Sequence, residues 1–366
     1  MGLNGSIEGS NPSFSASTDD AGGGRRGVRA AVSPALLSAL ERSYGIDPST
    51  GAVDLGGSSN LNVLVVAGGR RRVARVYRRS VSEARLRDIQ SARRRLAACG
   101  FPCAVPIATS DGRDWTAFEG RLLEVEEYVD HDSHMDTWER VESGLRVLGQ
   151  IHDVLKSVPT GAEGRAPGFV NYLAPNNVRE ATARGTERIR SWSPTLEEAR
   201  LADAADELAV AVGEAQHAMG YASLPRQLVH GDFWDNNVLY RADELVLIHD
   251  FDHMGERARI DDLALTLYYM SCEPGLPVGV AEWMGLLRRL VDGYDSGLEV
   301  RLSSAERAAL PVALARQPLW SVGGWIAALD DDRAARSHAA GLNAAVDRSL
   351  EMMRHLTAWQ EAFMAG

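Results

Sequence analysis

The stretch that most restricts what this chain can become is LVHGDFWDNNVLY, from Leu228 to Tyr240. Between apolar ends typical of short strands it packs His230, Asp232, Asp235, Asn236 and Asn237. Polar groups at that density survive within a fold only when each has a partner. The segment therefore reads as a loop between two strands whose side chains gather around something. Its continuation, ELVLIHDFDHMGERARIDDLALTLYYM, supplies a further apolar strand, then Asp250-Phe251-Asp252, then Asp262-Leu263-Ala264.

The texture of the chain changes on either side of this island. Ser33-Pro34 reads as an N-cap followed by proline at N1, and Leu36, Leu37, Leu40 and Tyr44 form an apolar stripe ending at Gly45. Two β-rich runs joined by Ala67-Gly68-Gly69-Arg70 predict a hairpin. Residues 81–98 read as a helix, and CAVPIAT and RLLEVEEYV as strands. From 138 onward the spacing of apolar residues predicts helices at 138–155, 195–219, 280–296, 303–316 and 333–360. The expectation is an α+β, bilobal plan: a disordered tail at 1–30, a small β-rich N-lobe at 31–127, and a larger, mainly helical C-lobe at 128–366.

Charge narrows the partners. The net charge of −11 argues against nucleic acid. Residues 1–100 hold 15 Arg against 8 Asp or Glu, a balance of +7, so residues 101–366 carry −18. That asymmetry suits a phosphate-bearing ligand near the first part and a metal or cationic ligand near the second. No run of about 18 apolar residues is present to span a membrane, and the N-terminus has no apolar core of a secretory signal. Cys99, Cys103 and Cys272 lack metal-site spacing and read as small buried hydrophobes in a reducing cytoplasm.

Phosphoryl transfer needs oxygen ligands for Mg²⁺, a carboxylate to orient the attacking hydroxyl, and cations on the nucleotide phosphates. His230-Gly231-Asp232, Asn237 and Asp250-Phe251-Asp252 have the spacing of the kinase catalytic loop and metal segment. With Asp262-Leu263-Ala264 added, the chain resembles the aminoglycoside phosphotransferase and choline kinase superfamily, small-molecule kinases of the protein-kinase-like fold. The resemblance implies that Asp232 accepts or orients the acceptor hydroxyl and His230 braces the catalytic loop. It implies that Asn237 and Asp250 hold Mg²⁺, with Asp252 a second metal contact. Asp235-Asn236 stands where relatives often carry Pro-Gly.

The same resemblance assigns the nucleotide, ATP with GTP as an alternative. Gly57, Ser58, Ser59 and Asn60 match the family's phosphate loop. Arg75, in VARVYRR, takes the position of the phosphate-gripping cation, because the only lysine is Lys156. Arg78 and Arg79 are expected to face solvent. The acidic partner on the following helix stays open among Glu83, Asp88 and Gln90. Leu123 to Val129 resembles the hinge, with backbone groups at Glu127 and Val129 meeting the adenine edge.

Nine residues separate Asp252 from Asp262, too few for the polypeptide-binding segment of a protein kinase, which favours a small-molecule hydroxyl acceptor. Trp234, Asp235, Glu282, Trp283, Trp320, Trp325, Asp330, Asp331 and Asp332 are candidate contacts for a cationic or sugar-bearing acceptor. The Ala-, Gly- and Arg-rich composition suggests a GC-rich, actinomycete-like source. Antibiotic O-phosphorylation is then the leading expectation. A metabolic kinase for a sugar, homoserine or an amino alcohol, or a catalytically silent nucleotide-binding protein, stands as alternative. The chain is expected to be a cytoplasmic monomer or homodimer.

Overall fold

The computed structural model describes residues 29–47, 51–57, 59–166, 172–271, 280–329 and 331–365. The expected tail to residue 28, and with it Ser58, Cys272 and Asp330, lies outside the described residues. Helix α1 (Pro34–Tyr44) starts where Ser33 Oγ accepts the Leu36 N–H at 3.2 Å and ends at Gly45. A five-stranded antiparallel sheet follows, built from β1 (Ala52–Gly56), β2 (Leu61–Ala67), β3 (Arg70–Val76), β4 (Thr116–Phe118) and β5 (Arg121–Glu127). Its spatial order is β1-β2-β3-β5-β4.

Strand alternation gives the two faces of this sheet different work. Leu61, Val63, Val65, Ala74 and Val76 point to one face and pack against Leu36, Ala39 and Leu40 of α1. Each Leu or Val among them, removed from water, stabilises the lobe by roughly 1.5–3 kcal/mol. The ladder pairs Arg75 with Asn62 and Glu124, and Val73 with Leu64 and Glu126, on the opposite face. Helix α2 (Glu83–Ala98) covers part of that face through Gln90 and Arg93. The remainder borders the cleft toward the second lobe.

That second lobe is mainly helical. After β6 (Ser133–His134) come α3 (Trp138–Leu155), α4 (Ala162–Arg165), α5 (Val178–Ser191) and α6 (Leu196–Ala218). The β island then contributes β7 (Arg226–Val229), β8 (Val238–Arg241), β9 (Glu244–Ile248) and β10 (Gly255–Ala258). They form two small sheets, β6-β8-β9 and β10-β7. The chain continues through α7 (Arg259–Met270), α8 (Val280–Ser296), α9 (Ser304–Ala315), α10 (Gln317–Trp320) and a π-helical turn at Ser321–Ile326. It ends with α11 (Asp332–Ala339), α12 (Leu342–Arg354) and α13 (Leu356–Met364). The α+β, two-lobed plan is therefore as expected.

Four local expectations need correction. The single helix at 333–360 is three helices, because Gly341 adopts φ +84° and His355 leaves helical geometry. CAVPIAT is no regular strand; it makes isolated bridges from Cys103 to Ile248 and from Pro106 to Glu126, so each bridge meets a different sheet and neither forms a ladder. Arg78 is buried rather than facing solvent, because its guanidinium reaches Ser80 Oγ at 3.2 Å and Asp252 Oδ2 at 3.4 Å. Cys99 is exposed, since it caps the C-terminus of α2 beyond the last apolar turn.

Candidate active site

The opening loop sits between β7 and β8. Gly231 adopts φ +82°, and a Cβ there would lie 2.2 Å from the His253 carbonyl oxygen and 2.7 Å from an Arg257 nitrogen. Only glycine fits. The Gly231 N–H donates to Asp262 Oδ1 at 2.9 Å, and His152 Nε2 donates to Asp262 Oδ2 at 3.0 Å. His152 Nδ1 meets the Tyr294 hydroxyl at 2.7 Å, so a buried relay from α8 through α3 to α7 holds the loop. Burial opposes the charge of Asp262, but His152 keeps its carboxylate below the usual range.

Asp232 is the next residue, half-buried. Asn237 Nδ2 donates to its carboxylate Oδ2 at 2.9 Å and to its backbone oxygen at 2.8 Å. His230 has both ring nitrogens engaged: Nδ1 accepts the Asp232 N–H at 3.2 Å and Nε2 donates to the His249 carbonyl at 3.1 Å. Burial pushes its pKa down to about 4, so it is a neutral brace at pH 7. His249 Nε2 donates to the Asn236 carbonyl at 2.9 Å, and the Asn237 carbonyl accepts the His249 N–H at 3.1 Å. Asn236 thus anchors a short 3₁₀ turn, Asp235–Asn237.

Asp250 follows β9 in the left-handed region, φ +61° and ψ 61°. A non-glycine residue held there stores roughly 1–3 kcal/mol, a cost found mostly where geometry serves chemistry. Its carboxylate lies 3.4 Å from an Arg75 nitrogen. Burial works against the charge, yet Arg75 holds the pKa of Asp250 below the ordinary value. Asp252 is 2 % exposed; burial, then the nearby Asp250, raise its pKa. Its Oδ2 accepts from Asn60 Nδ2 at 2.6 Å and lies 3.4 Å from an Arg78 nitrogen. Its Oδ1 is buried with no hydrogen-bond partner among the described residues.

These groups fit a hard divalent cation. The donors are amide and carboxylate oxygens, the set Mg²⁺ takes alongside water and phosphate oxygens. Asn237 spends its nitrogen on Asp232, which leaves its Oδ1 as the oxygen it could offer a cation. The orphaned Asp252 Oδ1 is a second oxygen that a cation would satisfy.

On the other side of the cleft, Gly57 adopts φ +114°, and a Cβ there would lie 2.6 Å from the Asn60 carbonyl oxygen. Asn60 is buried: its Oδ1 accepts the Arg78 N–H at 3.0 Å while its amide reaches Asp252. It thus tethers the loop to the metal segment. Ser59 is half-buried in the same turn. At the hinge, Glu127 ends β5 with its side chain turned outward, 3.8 Å from Arg72, and the Val129 carbonyl accepts from His131 Nδ1 at 3.0 Å.

Arg75 finds no acidic partner on α2. Glu83 is exposed and pairs with Arg87, and Asp88 accepts the N–H groups of Gly161 and Gly164 at 3.1 Å. Gln90 reaches a carboxylate from β5, Glu124, at 2.7 Å. Glu124 is fully buried; it also accepts from Tyr77 at 2.7 Å and Arg93 at 2.5 Å, and stands across the ladder from Arg75. Burial opposes its charge, but Arg93 holds its pKa below the ordinary value. Arg93 bridges on to buried Glu126. The alternation in LLEVEE, which puts Glu124 and Glu126 on the Arg75 face, was the sequence clue to this network.

The acceptor candidates separate. Trp234 stacks on Tyr269 with ring centroids 4.7 Å apart, two residues from Asp232. Asp235 has a buried Oδ1 without a partner, and burial raises its pKa. Trp320 is in the core, Trp283 packs against that core, and Trp325 lies 5.7 Å from the His338 ring. Glu282 is exposed in the first turn of α8. Asp331 caps α11, and Asp332 binds Arg188 and Trp192, so this part of the acidic run serves helix packing.

Residues 50–302 match the model of a family described as the phosphotransferase enzyme family. Homoserine kinase of Acidiphilium cryptum is 26% identical over 268 residues, covering 70% of this chain and 75% of that protein. Homoserine kinase of Rhodopseudomonas palustris is 25% identical over 256 residues, 70% of this chain and 72% of the relative. Among solved structures, a microcompartment-associated aminopropanol kinase superposes with a TM-score of 0.63 at 22% identity, covering 87% of this chain and 97% of that one. An amicoumacin kinase in complex with AMP-PNP, Ca²⁺ and its ligand gives 0.62 at 20% identity, covering 87% and 92%.

Proposed function

The chain belongs to the phosphotransferase enzyme family, and on that premise we propose that it transfers the γ-phosphoryl group of ATP to a hydroxyl of a small amino alcohol or hydroxy amino acid. What supports this reading is the 2.9 Å hydrogen bond from Asn237 to Asp232, together with the Arg75–Asp250 ion pair on the neighbouring segment, which His249 joins to Asn237 through a 3.1 Å backbone hydrogen bond. Positioning and charge stabilisation are most of what phosphoryl transfer asks of a protein.

Asp232 accepts the hydrogen bond of the acceptor hydroxyl and directs its oxygen toward the γ-phosphorus. Asn237 fixes the carboxylate; His230 and the Asp262 relay keep the loop in place. Asn237 and Asp250, with Asp252 beside them, would hold Mg²⁺, which neutralises phosphate charge when bound. Arg75 reaches the α- and β-phosphates as a bidentate donor. Gly57, Ser58, Ser59 and Asn60 offer backbone N–H groups to the phosphates, and the backbone at Glu127 and Val129 reads the base.

The aromatic pair Trp234–Tyr269 beside Asp232 supports an ammonium-bearing acceptor, since a desolvated cation over such rings gains about 1–2 kcal/mol. The names of the relatives, homoserine kinases and an aminopropanol kinase, point the same way. An amino-bearing antibiotic is the second reading, favoured by the likeness to amicoumacin kinase. The test is Mg·ATP turnover against homoserine, amino alcohols, sugars and an antibiotic panel, scored by a mass gain of about 80 Da, one phosphoryl group. Turnover of an amino alcohol or homoserine that Asp232→Asn abolishes is expected. No acceptor turned over faster than by that variant would refute the reading.

A further inference from the structure

Arg29 precedes α1, lies outside the residues that match the family, and has no part in the reading above. Its guanidinium spans the base of the glycine-rich turn. Nε donates to the Asn60 carbonyl at 3.2 Å, and Nη2 donates to the Gly56 carbonyl at 3.0 Å. Nη1 donates to Asp54 Oδ2 at 2.9 Å, while Nη2 also meets Asp54 Oδ1. Asp54 Oδ1 in turn accepts the Gly56 N–H at 2.8 Å. The Arg29 hydrogen bonds hold the Asp54 carboxyl below the usual carboxylate range. One side chain therefore joins the residue at which the turn leaves β1 to the residue just ahead of β2.

The turn needs such a clip. Gly56 and Gly57 sit at φ +92° and +114°, where glycine has wide freedom and little of its own to hold it. β1 is an edge strand whose register with β2 slips between Asp54 and Gly56. Asn62 Nδ2 also donates to the Gly56 carbonyl, at 3.3 Å. Asn60, gripped by Arg29 through its carbonyl, is the residue whose amide reaches Asp252. A displaced Asn60 would therefore be felt at the metal segment too.

We propose that Arg29 is a positioning residue for the nucleotide: it sets the width of the turn whose N–H groups receive the phosphates. Nucleotide affinity then depends on a side chain in the segment before α1. This rests on the phosphotransfer reading above. The charge of Arg29 is already matched by Asp54, so it acts through span rather than as a phosphate ligand. A lysine keeps the charge and loses the fork that reaches two carbonyls at once.

The experiment uses the full chain with Arg29→Ala and Arg29→Lys. Hydrogen exchange at the Gly56 amide, which Asp54 holds at 2.8 Å, and at the amides of β1 and β2 is measured without nucleotide, and AMP-PNP binding with Mg²⁺ by calorimetry. Both variants should exchange roughly tenfold faster at these amides and bind AMP-PNP roughly five- to tenfold more weakly, through lost pre-organisation. The KM for the acceptor should not move, a split that a general loss of stability would not produce. Unchanged exchange, or wild-type affinity in either variant, overturns the proposal. A wild-type chain that binds no AMP-PNP would instead overturn the phosphotransfer reading; the exchange measurement, which needs no nucleotide, still decides the clip.

Discussion

Replacing Glu124 with Gln should damage the N-lobe out of proportion to its size. Glu124 and Arg93 are both buried, and Glu124 takes hydrogen bonds from Tyr77, Gln90 and Arg93. A glutamine has one acceptor oxygen where three donors converge, so its NH₂ must face at least one of them. Arg93 would keep Glu126 alone, leaving surplus buried positive charge beside Arg75. Breaking a buried ion pair in this way costs about 3–5 kcal/mol. At about 2–4 °C per kcal/mol for a chain of this class, the melting temperature should fall by roughly 6–20 °C. Because the folded pKa of Glu124 lies below its ordinary 4.5, its contribution is complete above that pH and is lost as pH falls through the folded value. Thermal melts at pH 7 therefore give the full penalty, and melts below pH 4.5 a shrinking one. The KM for ATP should rise as Arg75 loses its neighbour. A penalty under about 1 kcal/mol at pH 7 would refute the reasoning.

Other outcomes follow from the same geometry. Asp232→Asn should remove turnover by about 10³-fold or more while leaving the melting temperature within a few degrees, as rate and melt assays would show. Arg75→Ala should raise the KM for ATP and lower kcat by about 1–3 kcal/mol in transition-state terms; unchanged kinetics would take Arg75 out of the site. Gly231→Ala should destabilise the chain by about 2–5 kcal/mol, since its Cβ meets the His253 carbonyl at 2.2 Å at positive φ, and a wild-type melt would contradict this. His230, His249 and His338 have folded pKa values lowered to about 4, below the ordinary 6.5. The unfolded chain therefore takes up their protons first, and each lowers stability by about 1.4 kcal/mol per pH unit between 6.5 and 4. Denaturation midpoints across that window should fall steeply toward acid.

The parts of the fold carried by local chemistry were legible in advance. Ser33-Pro34 and Gly45 bound α1, Gly68-Gly69 turns β2 into β3, and helix α3 runs over the residues its apolar spacing predicts. Helix α7 was not legible, because all twelve of its residues are buried and an all-round buried helix leaves no stripe to detect. Around the site, the HGD–N–DFD spacing pointed to Asp232, Asn237 and Asp250; Asn237 donates to Asp232, and its carbonyl accepts from His249, the residue before Asp250. The Glu124–Arg93 network was not legible, because the partner of Arg75 was expected on the next helix. The carboxylate comes instead from a strand adjacent only in space. Arg29 escaped for a similar reason, since it meets the loop only once α1 has folded back over the sheet.

Arg85 of α2 is the feature with the widest consequence. Its guanidinium donates to the carbonyls of Glu163, Gly164 and Ala166 around α4, and to those of Asp252 and Met254 beside the metal segment. Asp88, one turn along, caps the same strap. Five such acceptors make α2 a fixed lever between the lobes rather than a loose one. Here the lever is bolted to the opposite lobe by uncharged acceptors that neither salt nor pH can neutralise. Moving α2 away from the C-lobe therefore means unseating the backbone next to Asp252.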